Sequence, residues 1–217
     1  MPPDGVGYLR ITAFWGYTDD GDYDHGAQAL EAALNTILPE VDPQRGLVID
    51  IRVNTGGNDG WALAVANHLT DHTYLAYRKE VRTDPQDASR WGVPQRVMVR
   101  PSRGSRFLGR VALLTGINSV SAAETFAMAL MGRTPHVVRV GEPTQGVFSD
   151  VLERRLPNGW RFGLPNERYL TKEGIAYDVV GVPPDNLVPV FPKDDLERGR
   201  DGALEQALSL LRQRRDP

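Results

Sequence analysis

The sequence predicts an α/β fold around a largely parallel sheet, and three observations predict it. Short runs rich in β-branched and aromatic residues alternate along the chain with longer segments of helical period. Two of those runs, Gly46-Leu47-Val48-Ile49-Asp50-Ile51-Arg52-Val53 and 110–115, are nearly continuous in apolar residues, as strands buried on both faces are. Each is followed by a glycine- or serine-bearing turn and then a helix, which is the order of a parallel sheet with crossover helices.

Taken in chain order, Val6 to Phe14 reads as the opening strand and 16–26 as an acidic, glycine-bearing loop. From Ala27 to Leu38 the apolar residues Leu30, Ala33, Leu34 and Leu38 share one helical face. A turn at 43–46 leads into the first buried strand, Asn54-Thr55-Gly56-Gly57 ends it, and 60–69 resumes as helix. The stretch 82–105, with its Pro, Gly and Asp residues, reads as a surface excursion inside one domain. The second buried strand at 110–115 precedes a strong helix, 119–131, rich in Ala, Met and Leu. A strand at 136–140 then runs into Gly141-Glu142-Pro143-Thr144. The segments 147–156 and 160–164 flank Pro157-Asn158-Gly159, a hairpin turn, and 203–211 closes the chain as a helix.

Composition narrows the function. The 217 residues suit one domain, and a net charge of −3 sets the chain apart from general nucleic-acid binders. The lack of cysteine excludes disulfides, thiolate metal sites and a cysteine nucleophile. The four scattered histidines do not suggest a metal site, so neither a metal nor a cofactor is expected. No run approaches the roughly 20 apolar residues of a membrane helix. The opening Met1–Gly5 shows no leader pattern, which as written keeps the chain where it is made. The acidic loop at 19–24 lacks the closing glutamate of a calcium-binding hand and reads as solvated. His68 and His72 fall at a helix end and read as caps. His25 alone lies in a loop where it could approach a site.

In such sheets, sites form where loops leave the carboxyl ends of strands. In Asn118-Ser119-Val120-Ser121-Ala122-Ala123-Glu124, a serine stands at a helix start after a buried strand. There the helix N–H groups and dipole favour negative charge, and the Ala122 N–H could stabilise an oxyanion. The same letters also spell a capping box, Ser121 with Glu124 three residues on. The paired Gly56 and Gly57 permit close backbone approach and could supply a second oxyanion donor, or form a tight turn and no more. Neither a phosphate loop nor a dinucleotide fingerprint is present.

Together these segments resemble the tail-specific, or carboxy-terminal processing, peptidases (family S41), which include the tricorn core and the interphotoreceptor retinoid-binding repeats. Five segments carry the resemblance in order: Gly7-Tyr8-Leu9-Arg10-Ile11, Asp50 through Gly57, Asn118 through Glu124, Gly141-Glu142-Pro143-Thr144, and Gly181-Val182-Pro183-Pro184-Asp185. The resemblance implies a crotonase- or ClpP-like core with a curved, largely parallel sheet over residues 1–217. The helical or PDZ portion that precedes the core in other members has no counterpart here. It implies a serine-type peptidase, with Ser121 as nucleophile, Ala122 and Gly56 or Gly57 as oxyanion donors, and a peptide or protein as substrate. Two departures stand out. Val147 occupies the position of the family's lysine base, with Val151 at that of its supporting glutamine. Arg10 occupies the position of the tricorn histidine. Neither valine nor arginine accepts a proton near neutral pH. Asp178 falls where the tricorn branch has a glutamate and is the acidic partner the resemblance suggests. Of the three lysines, Lys79, Lys172 and Lys193, none falls in the base position. The rival reading is a catalytically inactive module with an apolar pocket near 121–127, binding a hydrophobic ligand or extended peptide like the retinoid-binding repeats. A third is an acyl hydrolase acting on esters.

Overall fold

A computed structural model of the protein describes residues 5–148 and 150–213. The leader reading of the first four residues therefore lies outside the described residues. Five parallel strands form the central sheet: β1 (Gly7–Arg10), β2 (Leu47–Asp50), β5 (Val111–Thr115), β6 (Val138–Gly141) and β10 (Asn186–Leu187), in the order β1-β2-β5-β6-β10. A second, antiparallel sheet orders β4 (Gln95–Val99), β3 (Tyr74–Val81) and β9 (Glu167–Leu170) as β4-β3-β9. A separate hairpin joins β7 (Val151–Arg155) to β8 (Arg161–Pro165).

Strand alternation sorts the core into two layers. Leu47 and Ile49 of β2, with Val111 and Leu113 of β5, face the main cluster. That cluster is built with α1 (Tyr23–Ile37), α2 (Asp59–Asn67) and α3 (Ala122–Leu130). Val48, Ala112 and Leu114 face the other way, onto Ala203, Ala207, Leu208 and Leu211 of α5 (Gly202–Arg212). The buried strands are thus covered on both sides, as their unbroken apolar sequence requires. The same alternation turns Asp50, the last residue of β2, toward the α5 side.

The differences from the sequence reading have local causes. Helix α1 starts at Tyr23 rather than Ala27, because Asp22 in the acidic loop accepts from the N–H groups of Asp24 and His25. The excursion at 82–105 contains β4, which pairs with β3 despite its flanking prolines. The opening strand stops at Arg10; beyond it the chain stays extended and bridges at Phe14 to Gly57. Strands β9 and β10 and the short helix α4 (Lys193–Glu197) were not anticipated. His68 does more than end α2: its buried ring bonds the Ser105 carbonyl (2.5 Å) and Glu31 (2.8 Å), tying α1 to the 105–107 loop. No described helix is long and apolar enough to cross a membrane.

Candidate active site

The buried Asn54 explains why the turn after β2 is held so firmly. Its side-chain amide donates to the Ile11 carbonyl (2.9 Å), and its Oδ1 accepts from the Gly56 N–H (2.8 Å). Its own carbonyl accepts from Val120 N–H (3.0 Å). The double-glycine turn is thereby fixed to the end of β1 and to the segment leading into α3. Gly56 has φ +86°, and a Cβ there would lie 2.8 Å from the Val120 carbonyl oxygen and 2.9 Å from the Ser121 Cβ. A Cβ on Gly57, φ +133°, would lie 2.3 Å from the Phe14 carbonyl oxygen. Only glycine satisfies both the backbone angles and the contacts at these two positions.

Ser121 and Ser119 play different parts. The buried Ser119 hydroxyl donates to the Ile51 carbonyl (2.8 Å) and accepts from Gly116 N–H (3.1 Å), so it is spent on the turn. Ser121 is the N-cap of α3 and half-buried, with φ 55° and ψ −114°. A serine at positive φ is strained by roughly 1–3 kcal/mol, a strain that concentrates at functional sites. Ser121 completes the capping box with Glu124. Among the described residues, no side chain hydrogen-bonds its hydroxyl.

Glu124 is the residue whose role the sequence understated. Its carboxylate, 0% exposed, serves both sides of the site. Oε2 accepts from Ser121 N–H (3.0 Å) and Val147 N–H (2.9 Å). Oε1 accepts from the Thr144 hydroxyl (2.6 Å) and Gly146 N–H (2.7 Å). The Val147 carbonyl in turn accepts from Ser121 N–H (3.2 Å). One buried carboxylate therefore binds the serine turn to the 144–147 segment, and the Thr144 of Gly-Glu-Pro-Thr is there to donate to it. The signal was present in those two motifs, but nothing in the spacing says that they meet.

Two backbone donors near Ser121 have no hydrogen-bond acceptor among the described residues: the N–H of Ala122 and that of Gly57. Gly56 differs, since its N–H is committed to Asn54. A Cβ on Gly56 would lie 3.4 Å from the Ala122 nitrogen, which places the glycine turn against the start of α3. Asp59, the first residue of α2 after that turn, accepts from the Thr125 hydroxyl (2.7 Å) on α3 and braces the two helices against each other.

Asp178 lies in the segment laid against Gly146: the adjacent Val179 N–H donates to the Gly146 carbonyl (2.8 Å). Its carboxyl is half-buried and no hydrogen bond joins it to Ser121. Burial pushes its pKa above the ordinary carboxylate range, and the charge of Glu124 adds to the effect. The fold thus favours protonated Asp178, and its ionisation opposes folding as pH rises through and above the ordinary aspartate value. Asp178→Asn is expected to be more stable than wild type at pH 7, the gap closing as pH falls to about 3. Urea melts at both pH values check this.

The other titratable groups are accounted for. Val147 stands beside Ser121 with half its surface exposed and offers no proton acceptor. Burial works against the charge of Lys79, but hydrogen bonds to Asp150 and Glu167 outweigh it and hold the ammonium protonated. His25, in the first turn of α1, is exposed and bonded to Asp20 (2.6 Å), not to Ser121. Arg10 is exposed at the end of β1, on an apolar groove of about 410 Å³ between β1 and α1. That groove is lined by Leu9, Ala13, Trp15, Leu34 and Ile37 and by none of residues 121–127. No cluster of described residues suits a metal ion.

Comparison with known proteins places this arrangement. Among curated proteins none matches the chain. The chain superimposes on a Parabacteroides merdae ATCC 43184 structure provisionally assigned as a peptidase (TM-score 0.80, 24% identity, 98% of this chain and 63% of that one). It also superimposes on mature CPAF complexed with lactacystin (TM-score 0.77, 16% identity, 96% and 52%). A third match is the photosystem II D1 C-terminal processing protease (TM-score 0.62, 23% identity, 100% and 50%). The chain thus spans half to two-thirds of the length of these structures, and at such identities they share its fold. The sequence model described as peptidase family S41 matches residues 5–188, which takes in the β1 strand, the double-glycine turn, the serine turn and the 144–147 segment. With that match spanning well over half of its length, the chain belongs to peptidase family S41.

Proposed function

We propose that the chain is a serine-type peptidase core in which Ser121 attacks a peptide carbonyl. The observation that carries the reading is the strained Ser121 turn, wedged against Gly56 and flanked by the N–H groups of Ala122 and Gly57, which have no acceptor among the described residues. The Oγ–carbon bond forms as the carbonyl oxygen takes up negative charge, which those two N–H groups stabilise. The peptide C–N bond then breaks, the amine leaves with a proton, and water hydrolyses the serine ester to release the acid. Asp178, whose neighbour Val179 is hydrogen-bonded to the Gly146 carbonyl, is assigned as the acidic partner of the site. Of the two glycines, Gly57 is the donor in this reading, Gly56 the spacer.

One observation favours a second reading, a binding module without turnover: Val147 stands where the family's lysine base would be, and among the described residues no side chain hydrogen-bonds the Ser121 hydroxyl. Incubation with a diverse peptide mixture, read by mass spectrometry, separates the two. The peptidase reading expects new termini from wild type and none from Ser121→Ala. Asp178→Asn is expected to lower turnover about 100-fold, within the range of general acid–base contributions, while melting later than wild type at pH 7. Peptides bound but never cut between pH 5 and 9 would establish the binding module instead.

A further inference from the structure

The β7–β8 hairpin is an amphipathic unit whose apolar face is largely exposed. Register pairs Leu152 with Leu164 and Arg154 with Phe162, and Leu156 N–H donates to the Trp160 carbonyl (2.8 Å). Leu152, Arg154, Leu156, Trp160, Phe162 and Leu164 therefore share one face, while Val151, Glu153, Arg155 and Arg161 take the other. Trp160 is 72% exposed and Leu164 50% exposed. Neither outer edge of the hairpin pairs with another described strand. A lone two-stranded hairpin is marginal in water, and one with an uncovered apolar face gains from a partner.

Charge and position say what the partner is. Arg154, Arg155 and Arg161 against Glu153 leave the hairpin at +2, on a chain of −3. Among the described residues, neither Arg154 nor Arg155 pairs with a carboxylate. The hairpin also continues directly from the candidate site: Val151 is four residues beyond Val147, whose carbonyl accepts from Ser121 N–H. Four residues of chain span at most about 14 Å, and each five-residue strand extends for about 17 Å. A polypeptide passing Ser121 in extended form reaches the hairpin within a few residues.

We propose that this face is a docking site for extended polypeptide substrates in which apolar residues alternate with acidic ones. It rests on the peptidase reading for its purpose, but not for its test. Leucine or aromatic side chains pack beside Phe162, Leu164 and Trp160, the carboxylates, turned to the opposite face by strand alternation, meet Arg155 and Arg161, and the free strand edges take main-chain hydrogen bonds.

The test measures fluorescence anisotropy of labelled ten-residue peptides on Ser121→Ala protein, so that no cleavage intervenes. One peptide alternates Leu and Glu; its control alternates Leu and Lys. The Leu/Glu peptide is expected to bind at least about ten-fold more tightly than the control. The double variant Leu156→Ser/Phe162→Ser should weaken it by about ten-fold or more, and Arg155→Glu should erase the preference for Glu over Lys. Circular dichroism confirms that the variants fold. Equal affinities for the two peptides, unchanged affinity in the folded variants, or no binding of either peptide would overturn the proposal. Cleavage by the otherwise wild-type chain is scored separately. Binding that the variants lose, without any cleavage, leaves the hairpin site standing and removes the peptidase. Cleavage with binding indifferent to the variants does the reverse.

Discussion

Arg52→Ala is expected to lower the stability of the chain by about 3–5 kcal/mol, the cost of stranding a buried charge partner. The guanidinium is buried and doubly forked. It bonds Asp50 through Nε (3.0 Å) and Nη2 (2.7 Å), and Asp201 through Nη1 (2.7 Å) and Nη2 (2.8 Å). The Phe191 ring lies 4.4 Å beneath it, and the Tyr8 hydroxyl donates to Asp50 (2.6 Å). Asp201 is the N-cap of α5, so a single side chain joins the end of β2 to the helix covering the far face of the sheet. Its removal leaves Asp50 buried with only Tyr8 and one backbone N–H as donors among the described residues. Denaturant melts measure the loss. Amide exchange should show α5 deprotected before the main core, because its apolar face is small and Asp201 is its latch. Lysine does not rescue, since one ammonium cannot reproduce two bidentate forks. Burial alone would raise the Asp50 pKa, but Arg52 and Tyr8 outweigh it and hold the carboxyl below its ordinary range. The stability it contributes is present above the ordinary aspartate value and is lost as pH falls below it through the lowered value of the folded state.

Glu124→Gln is expected to cost about 2–6 kcal/mol and to disable the site even where the chain remains folded. The carboxylate accepts four hydrogen bonds and donates none. A glutamine presents two donors on one side, so two of those four groups face a donor in a buried place, each costing about 1–3 kcal/mol. The Ser121 turn and the 144–147 segment lose their common anchor, and a shift of about 1 Å at the nucleophile is worth up to about 100-fold in rate. Urea melts give the stability change, and the rate of modification by a fluorophosphonate at low temperature gives the effect on the site. A variant destabilised as stated but modified at the wild-type rate would reduce Glu124 to a structural residue.

What the sequence disclosed was local. Continuous apolar runs marked β2 and β5 because a strand covered on both faces has no polar face to display. Pro157-Asn158-Gly159 marked the hairpin because turn chemistry is confined to adjacent residues. The start of α1 was hidden since its cap, Asp22, sits among other aspartates whose pattern suggests solvent. β9 and β10 were hidden since four and two residues carry almost no period, and their pairing comes from distant strands. At the site, the serine and the double glycine were visible as motifs, and both fall where the fold brings them into contact. The clamp by Glu124 was half-visible: the capping box is local, but the bonds to Thr144, Gly146 and Val147 reach 20 to 23 residues along the chain. The latch from Arg52 to Asp201 spans 149 residues, and no periodicity reports such a pairing.

The central claim is that the Ser121 hydroxyl is an addressable nucleophile between two free backbone donors. Intact-mass spectrometry after fluorophosphonate treatment tests it most directly. The account predicts one adduct on wild type, located by peptide mapping at Ser121, and none on Ser121→Ala. An unmodified wild-type protein, or equal adducts on both proteins, would contradict it.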